Sequence, residues 1–211
     1  MPNKIVSTIG QVAKSALGIV GVRIGTEEPA YTSRRLTDMV EIRRYEPRIA
    51  AQTTVDADEE QARRDGFRRL AGYIFGGNTG SQKVAMTAPV SQSSADSQRI
   101  AMTAPVSSTA DGDKWVIRFF MPSSWSMETL PTPNDDRVKL VEVSAETVAV
   151  LRFSGSRARG NVEPQMEKLS EVLHANSIEM SSEPMMWFYD PPWTLAFRRR
   201  NEVVVSVPEG S

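Results

Sequence analysis

Two arginines stand one helical turn apart, beside apolar side chains, in a segment that predicts a helix. Guanidinium groups next to an apolar surface suit an amphipathic ligand that bears carboxylates or phosphates. A porphyrin with its two propionates is a ligand of this kind. The residues that we assign to this binding face are Arg64, Phe67, Arg68, Ala71 and Phe75. The alternative is that the same spacing forms the solvated face of an ordinary surface helix.

The composition excludes several other kinds of chemistry. The chain has 211 residues, no cysteine, one histidine and ten methionines. Without cysteine it has no disulfide, zinc ribbon, iron–sulfur cluster or thiol nucleophile. Its 25 basic and 26 acidic residues give a net charge of −1, which argues against nucleic-acid binding. We therefore assign no catalytic residue and no metal site, and we expect no nucleic-acid partner.

His174 is the only candidate for an imidazole ligand of haem iron or an imidazole base. It lies roughly 120° from the apolar stripe of the second predicted helix, which favours a solvent-facing position near the helix C-terminus. Met86 and Met102 could ligate haem iron through their thioethers. The alternative for both methionines is packing in the core.

The elements that must position these residues repeat after about one hundred residues. Val40–Val55 predicts two strands broken at Glu46–Pro47, and Val138–Phe153 predicts two strands broken at Ser144–Ala145. Each pair is followed by an amphipathic helix. Further strands are predicted at 114–121, 184–190 and 202–207. The pattern indicates one α+β domain of two similar halves that share a sheet or barrel.

The two amphipathic helices have recognisable start signals. The first is predicted over 57–75, with Asp56 as its N-terminal cap. The second is predicted over 162–176, with Asn161 as its cap and Pro164 in its first turn. The proposed binding face therefore belongs to the first helix.

Two further segments stand out. Lys83–Ser91 is repeated almost unchanged at Arg99–Ser107, and alternation predicts two strands joined as a hairpin by the polar residues 91–98. Residues 1–25 show the spacing of an amphipathic helix, interrupted by charges and too short in its apolar runs to span a bilayer. This extension could pack on its own domain or a second subunit, lie at a membrane surface, or act in targeting.

Several segments in order resemble the SOUL/haem-binding protein family, and specifically its bacterial members. They are Val40–Tyr45 (VEIRRY), Tyr73–Asn78 (YIFGGN), Lys83–Val90 (KVAMTAPV), Thr129–Asn134 (TLPTPN), Val148–Gly155 (VAVLRFSG), Tyr189–Trp193 (YDPPW) and Arg199–Glu202 (RRNE). The resemblance covers about residues 26–207. It implies a distorted antiparallel β-barrel of two similar halves flanked by two helices, of the gyrase-inhibitor-like type. We accordingly expect a SOUL-type domain at 26–211 after an extension at 1–25.

The resemblance also implies a tetrapyrrole ligand held on the first long helix. We expect non-enzymatic binding of haem or another tetrapyrrole, for transport or buffering, through the porphyrin surface and its propionates with weak or no histidine ligation. The alternative is a binder, hydrolase or isomerase of other amphipathic small molecules in a cleft between the halves. The candidate acids of that cleft are Glu142, Glu146, Glu183 and Tyr189.

The remaining expectations concern surroundings and surface charge. We expect a cytoplasmic protein, with membrane-surface or subunit contact through residues 1–25. Arg198–Arg200 are predicted to form ion pairs with the acidic segment 135–146, or to complete the rim of a ligand site.

Overall fold

The computed structural model describes residues 26–94, 114–191 and 193–211. Within these ranges the alternating segments form strands and the amphipathic segments form helices. The strands are β1 (Tyr31–Arg35), β2 (Val40–Tyr45), β3 (Arg48–Asp56), β4 (Val90–Ser94), β5 (Lys114–Phe120), β6 (Lys139–Val143), β7 (Glu146–Phe153), β8 (Met185–Phe188) and β9 (Asn201–Ser206). The helices are α1 (Glu59–Ile74) and α2 (Arg159–Ala175).

The nine strands of the described ranges form one curled antiparallel sheet with the order β1-β2-β7-β9-β8-β4-β5-β3-β6. This order shows the two predicted halves. β4 and β8 are neighbours at the centre; on one side of them follow β5 and β3, and on the other side follow β9 and β7. The first strand of each repeat pairs with a strand of the other half: β2 of the first half pairs with β7, and β6 of the second half pairs with β3. The predicted α+β fold of two similar halves and two helices is confirmed.

Both helices lie on the same face of the sheet. α1 packs on β3 and β5, and α2 packs on β7 and β9. The α2 stripe of Val162, Leu169 and Leu173 is buried as its spacing predicts. The opposite face carries a separate cluster around Tyr45 and Trp187. We call it the helix-free face.

The strand predicted over Lys83–Ser91 is wrong for most of its length. The chain is irregular up to Pro89, and β4 begins at Val90. Because β4 lies between β5 and β8, both sides of its backbone take part in the sheet, and a proline has no N–H to donate. Residues 91–94, predicted as loop, continue the strand. The second copy of the repeat and the extension at 1–25 lie outside the described residues.

The predicted helix caps also need correction. The N-cap of α1 is Asp58, whose carboxylate accepts from the backbone N–H of Gln61, and not Asp56. The N-cap of α2 is Ala158, which offers no side-chain cap, so Asn161 is already inside the helix. Pro164 consequently lies in the second turn and not the first. Both helices occur where the pattern predicts them, with ends displaced by one to three residues.

Candidate functional site

α1 turns three of the five predicted binding residues, Arg64, Arg68 and Phe75, fully outward. Its buried side consists of Ala62, Gly66, Leu70, Tyr73 and Ile74. The residues at 64, 68, 71 and 75 follow helical spacing on the other side. The side chains of Arg64 and Arg68 are 55% and 78% exposed, and Phe75, which caps the helix, is 64% exposed. They form an outward stripe that is both cationic and apolar.

Phe67 occupies a different environment from the rest of this set. Its ring packs edge-on against Phe119 of β5, with ring centres 5.2 Å apart, and contacts the core beneath α1. Ala71 is also half-buried against that core. These two residues therefore form the base of the outward stripe, while Arg64, Arg68 and Phe75 form its exposed surface.

The two exposed arginines already have acidic neighbours on α1. Arg64 Nη1 lies 2.6 Å from Glu60 Oε1, and Arg68 Nη1 lies 3.4 Å from Asp65 Oδ1. Exposed ion pairs of this kind contribute only about 0.2–1 kcal/mol. An acidic ligand can therefore displace either carboxylate at small cost.

A groove of about 1040 Å³ borders the stripe on one side and shares Arg68 with it. Its opposite wall is the segment 134–137. Tyr73 fixes this geometry by donating its hydroxyl to the carbonyl of Pro131 (2.9 Å), and Asn134 N donates to the carbonyl of Gly77 (3.0 Å). Asn78 closes the turn after α1 through bonds to the carbonyls of Tyr73 and Gln82. Two of the motifs that resemble the family, Tyr73–Asn78 and Thr129–Asn134, thus hold the two walls of the groove together.

Three arginines meet near the N-terminal half of α1. The guanidinium carbons of Arg63 and Arg157 lie 5.5 and 4.7 Å from the centre of the Phe188 ring. Burial, together with the charges of Arg199 and Arg63, lowers the pKa of Arg157 to about 10. Within the described ranges Arg157 forms no salt bridge, although it donates to the carbonyl of Asp190. We call Arg63, Arg157 and Arg199 the arginine seam.

Exposed apolar side chains adjoin this seam. Trp193, Leu195 and Phe197 lie on the connection between β8 and β9 and are 60%, 44% and 70% exposed. The backbone N–H of Gly155 donates to the carbonyl of Ala196 (2.9 Å), which ties this connection to the one that carries Arg157. The positively charged arginine seam and an exposed apolar surface therefore lie side by side.

Sequence reasoning missed the arginine seam as a unit. Arg63 is not among the predicted binding residues of the first helix, and Arg157 belongs to no motif. Arg199 stands in the run Arg198–Arg200, for which the sequence predicts ion pairs with residues 135–146 or a place on the rim of a ligand site. The predicted pairing is wrong for Arg200, which pairs with Glu28 (3.1 Å) and Glu202 (2.8 Å).

Glu202 is the centre of a buried ionic network on the helix-free face. Its two oxygens accept from Arg43 Nη1 and Nη2 at 2.7 and 2.9 Å. Tyr189 donates its hydroxyl to the same carboxylate at 2.7 Å, and Arg200 Nε donates at 2.8 Å. Burial by itself would raise the pKa of Glu202, but the hydrogen bond and charge of Arg43, with the charge of Arg200, hold it below its usual range.

The four candidate acids of the alternative cleft are divided among different environments. Tyr189 donates to Glu202, and burial raises its pKa far above the usual range. Glu146 accepts from Arg48, while Glu142 and Glu183 are exposed. The acid next to Tyr189 is thus Glu202, which was not among the four candidates.

The other candidate ligands of iron lie away from the stripe. His174 is exposed in the last turn of α2, which packs on other strands than α1, as its position off the apolar stripe predicts. Met86 is half-buried against the core beneath α1, whereas Met102 lies outside the described residues. Within the described ranges no three His, Asp or Glu side chains are grouped to hold a metal ion. No helix of those ranges has both the length and the apolar character to cross a bilayer.

Comparison with known proteins defines the class of this domain. The SOUL heme-binding protein model matches residues 26–206, so the chain belongs to the SOUL family. It is 24% identical to heme-binding protein 1 of Bos taurus over 159 residues, 74% of this chain and 76% of that protein. It is 28% identical to heme-binding protein 2 of Mus musculus over 166 residues, 77% of this chain and 75% of that protein.

Solved structures with the same fold are more distant in sequence. The C-terminal domain of EcmrR superposes with a TM-score of 0.57 at 10% identity, over 85% of this chain and 98% of that domain. A hydrolase encoded by lin2189 from Listeria innocua superposes with a TM-score of 0.52 at 9% identity, over 81% of this chain and 92% of that one. At these identities the likeness concerns the fold alone.

Proposed function

We propose that this protein binds haem or another tetrapyrrole without catalysing a reaction, and that binding serves transport or buffering. The observation that carries the proposal is the family membership over residues 26–206. The outward stripe of α1 supports it, because Arg64, Arg68 and the exposed ring of Phe75 combine cationic and apolar surface on one face. The curated relatives named above are heme-binding proteins.

The described residues suit the periphery of a porphyrin better than its iron. Bound haem would supply a flat apolar ring with two carboxylates. Phe75 and Ala71 would contact the ring, Phe67 would support them from below, and Arg64 and Arg68 would neutralise the propionates. Since His174 lies on α2, we propose that no histidine binds the iron. Binding without such a ligand is readily reversible, which suits a carrier or a buffer.

Titration of the purified protein with hemin tests this function and its site. We expect a saturable shift of the Soret absorption band in the wild type. Arg64→Glu/Arg68→Glu should weaken binding at least about tenfold, because two favourable charges become repulsive. The matched control is Arg34→Glu/Arg35→Glu, the same change on exposed β1, which should bind like the wild type.

Two outcomes would contradict different parts of the proposal. An unshifted Soret band in the wild type argues against tetrapyrrole binding altogether. Wild-type affinity in Arg64→Glu/Arg68→Glu argues against the α1 stripe but leaves the function in place. Arg157→Gln then decides whether the arginine seam holds the propionates, since its loss would weaken binding only in that case.

The groove beside α1 favours a second candidate, the binding of other amphipathic small molecules. Its volume of about 1040 Å³ reaches the upper end of the range for drug-sized ligands. Gly72 lines it, and a Cβ at this position would meet no atom within 4 Å. Gly72→Leu should therefore reduce binding of hydrophobic dyes while hemin binding persists. Equal dye binding in both proteins would remove this candidate.

We also propose that residues 1–25 form an extension, separate from the domain at 26–211, that contacts a membrane surface or a second subunit. The spacing of its apolar residues supports this. Flotation with liposomes of the full chain and of a chain lacking residues 1–25 tests the membrane version. Equal flotation of both would contradict it.

A further inference from the structure

The connection between β8 and β9 exposes three large apolar side chains close together. Trp193, Leu195 and Phe197 lie within five consecutive residues, and each is well exposed. The other large apolar side chains that are exposed in the described ranges are scattered along the chain. Single exposed apolar residues are ordinary, whereas a group of them marks a surface that contacts another molecule or a membrane. We call these three residues the apolar patch.

Hydrogen bonds hold the backbone of the apolar patch in one shape. Thr194 is buried between the first two residues of the patch, and its carbonyl accepts from Arg199 Nε at 2.7 Å. Arg198 N donates to the carbonyl of Leu195 at 2.8 Å and closes the turn that carries Phe197. The three side chains are therefore exposed by an ordered backbone, which loses little conformational entropy when the patch binds.

The N-terminal extension joins the domain beside this patch. Arg200 follows Phe197 by three residues, a span of at most about 11 Å. Arg200 Nη1 lies 3.1 Å from Glu28 Oε2, so the first described residues are fixed next to the patch. Thr26 precedes Glu28 by only two residues. Residues 1–25 are therefore attached at the end of the molecule that carries the patch.

The charge of this extension decides which partner suits the patch. Residues 1–25 contain Lys4, Lys14 and Arg23 but no Asp or Glu, although the whole chain has a net charge of −1. Two copies that met through their patches would bring two such cationic segments together, and like charges repel. An anionic lipid surface attracts the same segment and accepts apolar side chains beneath its headgroups. The charge therefore favours a bilayer over a second copy of this chain.

We propose that the apolar patch inserts into the surface of an anionic phospholipid bilayer, next to the membrane contact of residues 1–25. Trp193 suits the headgroup region, because its ring is apolar and carries one N–H, while Leu195 and Phe197 suit the acyl chains below. Two contacts joined in one molecule bind more tightly than either alone. The inference rests on the proposed membrane contact of the extension for its preference for anionic lipid, and it is independent of tetrapyrrole binding.

The first test measures binding of the full chain, without hemin, to vesicles of phosphatidylglycerol and phosphatidylcholine and to vesicles of phosphatidylcholine alone. We expect stronger flotation with the anionic vesicles, and weaker flotation as salt is added. Leu195→Ser/Phe197→Ser should lower the partition coefficient at least about tenfold, because two apolar side chains no longer leave water. Circular dichroism checks that this variant, altered only at exposed positions, is folded.

Met180→Ser is the matched control. Met180 is 45% exposed, as Leu195 is 44% exposed, but it lies at the opposite end of β9. Ser181 N donates to the carbonyl of Ser206, the last residue of β9 (2.7 Å), whereas the patch precedes the first residue of that strand. The control should therefore bind vesicles like the wild type.

The second test measures insertion and does not depend on affinity. Phospholipids with brominated acyl chains quench the fluorescence of a tryptophan that reaches them. The chain has four tryptophans, and of these Trp115, Trp125 and Trp187 are buried or half-buried. We expect quenching in the wild type. Trp193→Phe keeps an apolar side chain, so it should still bind the vesicles but lose most of the quenching.

A variant of the extension separates the two membrane contacts. Lys4→Gln/Lys14→Gln should weaken binding to anionic vesicles about tenfold while quenching of Trp193 persists in the bound fraction. If only this variant loses affinity and Leu195→Ser/Phe197→Ser binds like the wild type, the patch proposal is overturned and the contact of the extension stands. If only the patch variant loses affinity, the patch proposal stands and the contact of the extension is wrong.

Two further results overturn the patch proposal. One is a wild type that binds neither kind of vesicle. The other is a wild-type dimer that Leu195→Ser/Phe197→Ser converts to a monomer in size-exclusion chromatography, since the patch would then be an interface between two copies. Neither result affects hemin binding, which is titrated without lipid.

Discussion

At the scale of single residues, Glu202 is the buried carboxylate at the centre of the ionic network on the helix-free face. It is fully buried and accepts from Arg43, Tyr189 and Arg200. A buried ion pair adds little net stability over an apolar pair, but removal of one partner leaves the other charge buried and uncompensated. Arg43, also almost fully buried, would keep only the half-buried Glu41 as a counter-charge.

We expect Glu202→Gln to lower the free energy of unfolding by about 3–5 kcal/mol at neutral pH. The amide keeps the shape of the side chain but not its charge, so Arg43 loses its buried counter-ion. Urea unfolding followed by circular dichroism measures the change. Arg137→Gln, which disrupts only an exposed pair, should change stability by less than about 1 kcal/mol. Equal effects of the two variants would contradict a structural ion pair.

The same carboxylate should make stability depend on acid. Its pKa is depressed in the folded protein and is near 4.3 in an unfolded chain. Its contribution is therefore fully present above about pH 5 and is lost as pH falls below about 4, toward the folded pKa. The stability difference between wild type and Glu202→Gln should shrink over that window. A difference that stays constant down to pH 3 would contradict the depressed pKa.

At the scale of elements, α1 contacts β5 so closely that only glycine fits at one position. A Cβ on Gly66 would lie 2.7 Å from Ile117 Cγ1, whereas a Cβ on Gly72 would meet nothing within 4 Å. Both glycines are helical, so alanine should favour the helix equally in each case. The space around each glycine therefore decides whether alanine stabilises or destabilises the protein.

We expect Gly66→Ala to destabilise the protein by about 1–3 kcal/mol through overpacking against Ile117. Gly72→Ala should instead stabilise it by about 0.5–1 kcal/mol. Chemical denaturation of both variants gives the comparison directly. Stabilisation by both substitutions would show that α1 moves away from β5 without penalty.

The start of α1 offers a second test of local structure. Asp58→Ala should cost about 1 kcal/mol, because the backbone N–H of Gln61 loses its acceptor. Asp56→Ala, at the end of β3, should change stability by only a few tenths of a kcal/mol, as an exposed substitution does. Thermal unfolding of the two variants distinguishes the caps. A larger effect of Asp56→Ala than of Asp58→Ala would indicate that Asp56 caps α1.

Strands and helices were predictable where one physical signal dominates. Alternation in Val40–Val55, broken at Pro47, gave both β2 and β3. The segment before β4 could not be predicted in the same way, because its partners are remote in sequence. Thr87 donates its hydroxyl to the carbonyl of Phe120, and Ala88 N donates to the carbonyl of Glu27 (2.9 Å). An apolar alternating pattern does not reveal such contacts.

The candidate site, too, is predictable from local sequence pattern only in part. The α1 stripe follows from helical spacing, which the sequence contains in full. Arg157 belongs to an irregular connection, and its position depends on the carbonyl of Asp190, 33 residues further along the chain. The environment of Arg48 likewise requires the pairing of β3 with β5 and the approach of β7. Only the tertiary structure assembles these charges.

At the scale of the whole molecule, the exchanged strands connect the two halves. β2 begins the first half in sequence but pairs with β7 of the second half, and β6 begins the second half but pairs with β3 of the first half. The link between halves passes through the exposed residues Ser123 and Ser124. Its covalent continuity is therefore not needed to hold the folded halves together.

We expect a chain cleaved at a protease site inserted between Ser123 and Ser124 to remain one particle. Size-exclusion chromatography under native conditions should show a single peak, and urea should separate the fragments. The same site inserted after Glu209, near the C-terminus, controls for the insertion itself. Separation of the fragments without denaturant would contradict the interlocking of the halves.

This exchange of strands also restricts how a ligand can enter and leave. Many two-lobed binding proteins open about a hinge, so that the rate of lobe movement governs the exchange of ligand. Here each lobe holds a strand of the other, and opening would break the sheet itself. Under the proposed function, loading and release would therefore take place on surfaces that are already accessible, such as the outward side of α1. Their rates should follow collision and surface affinity, without a gating step.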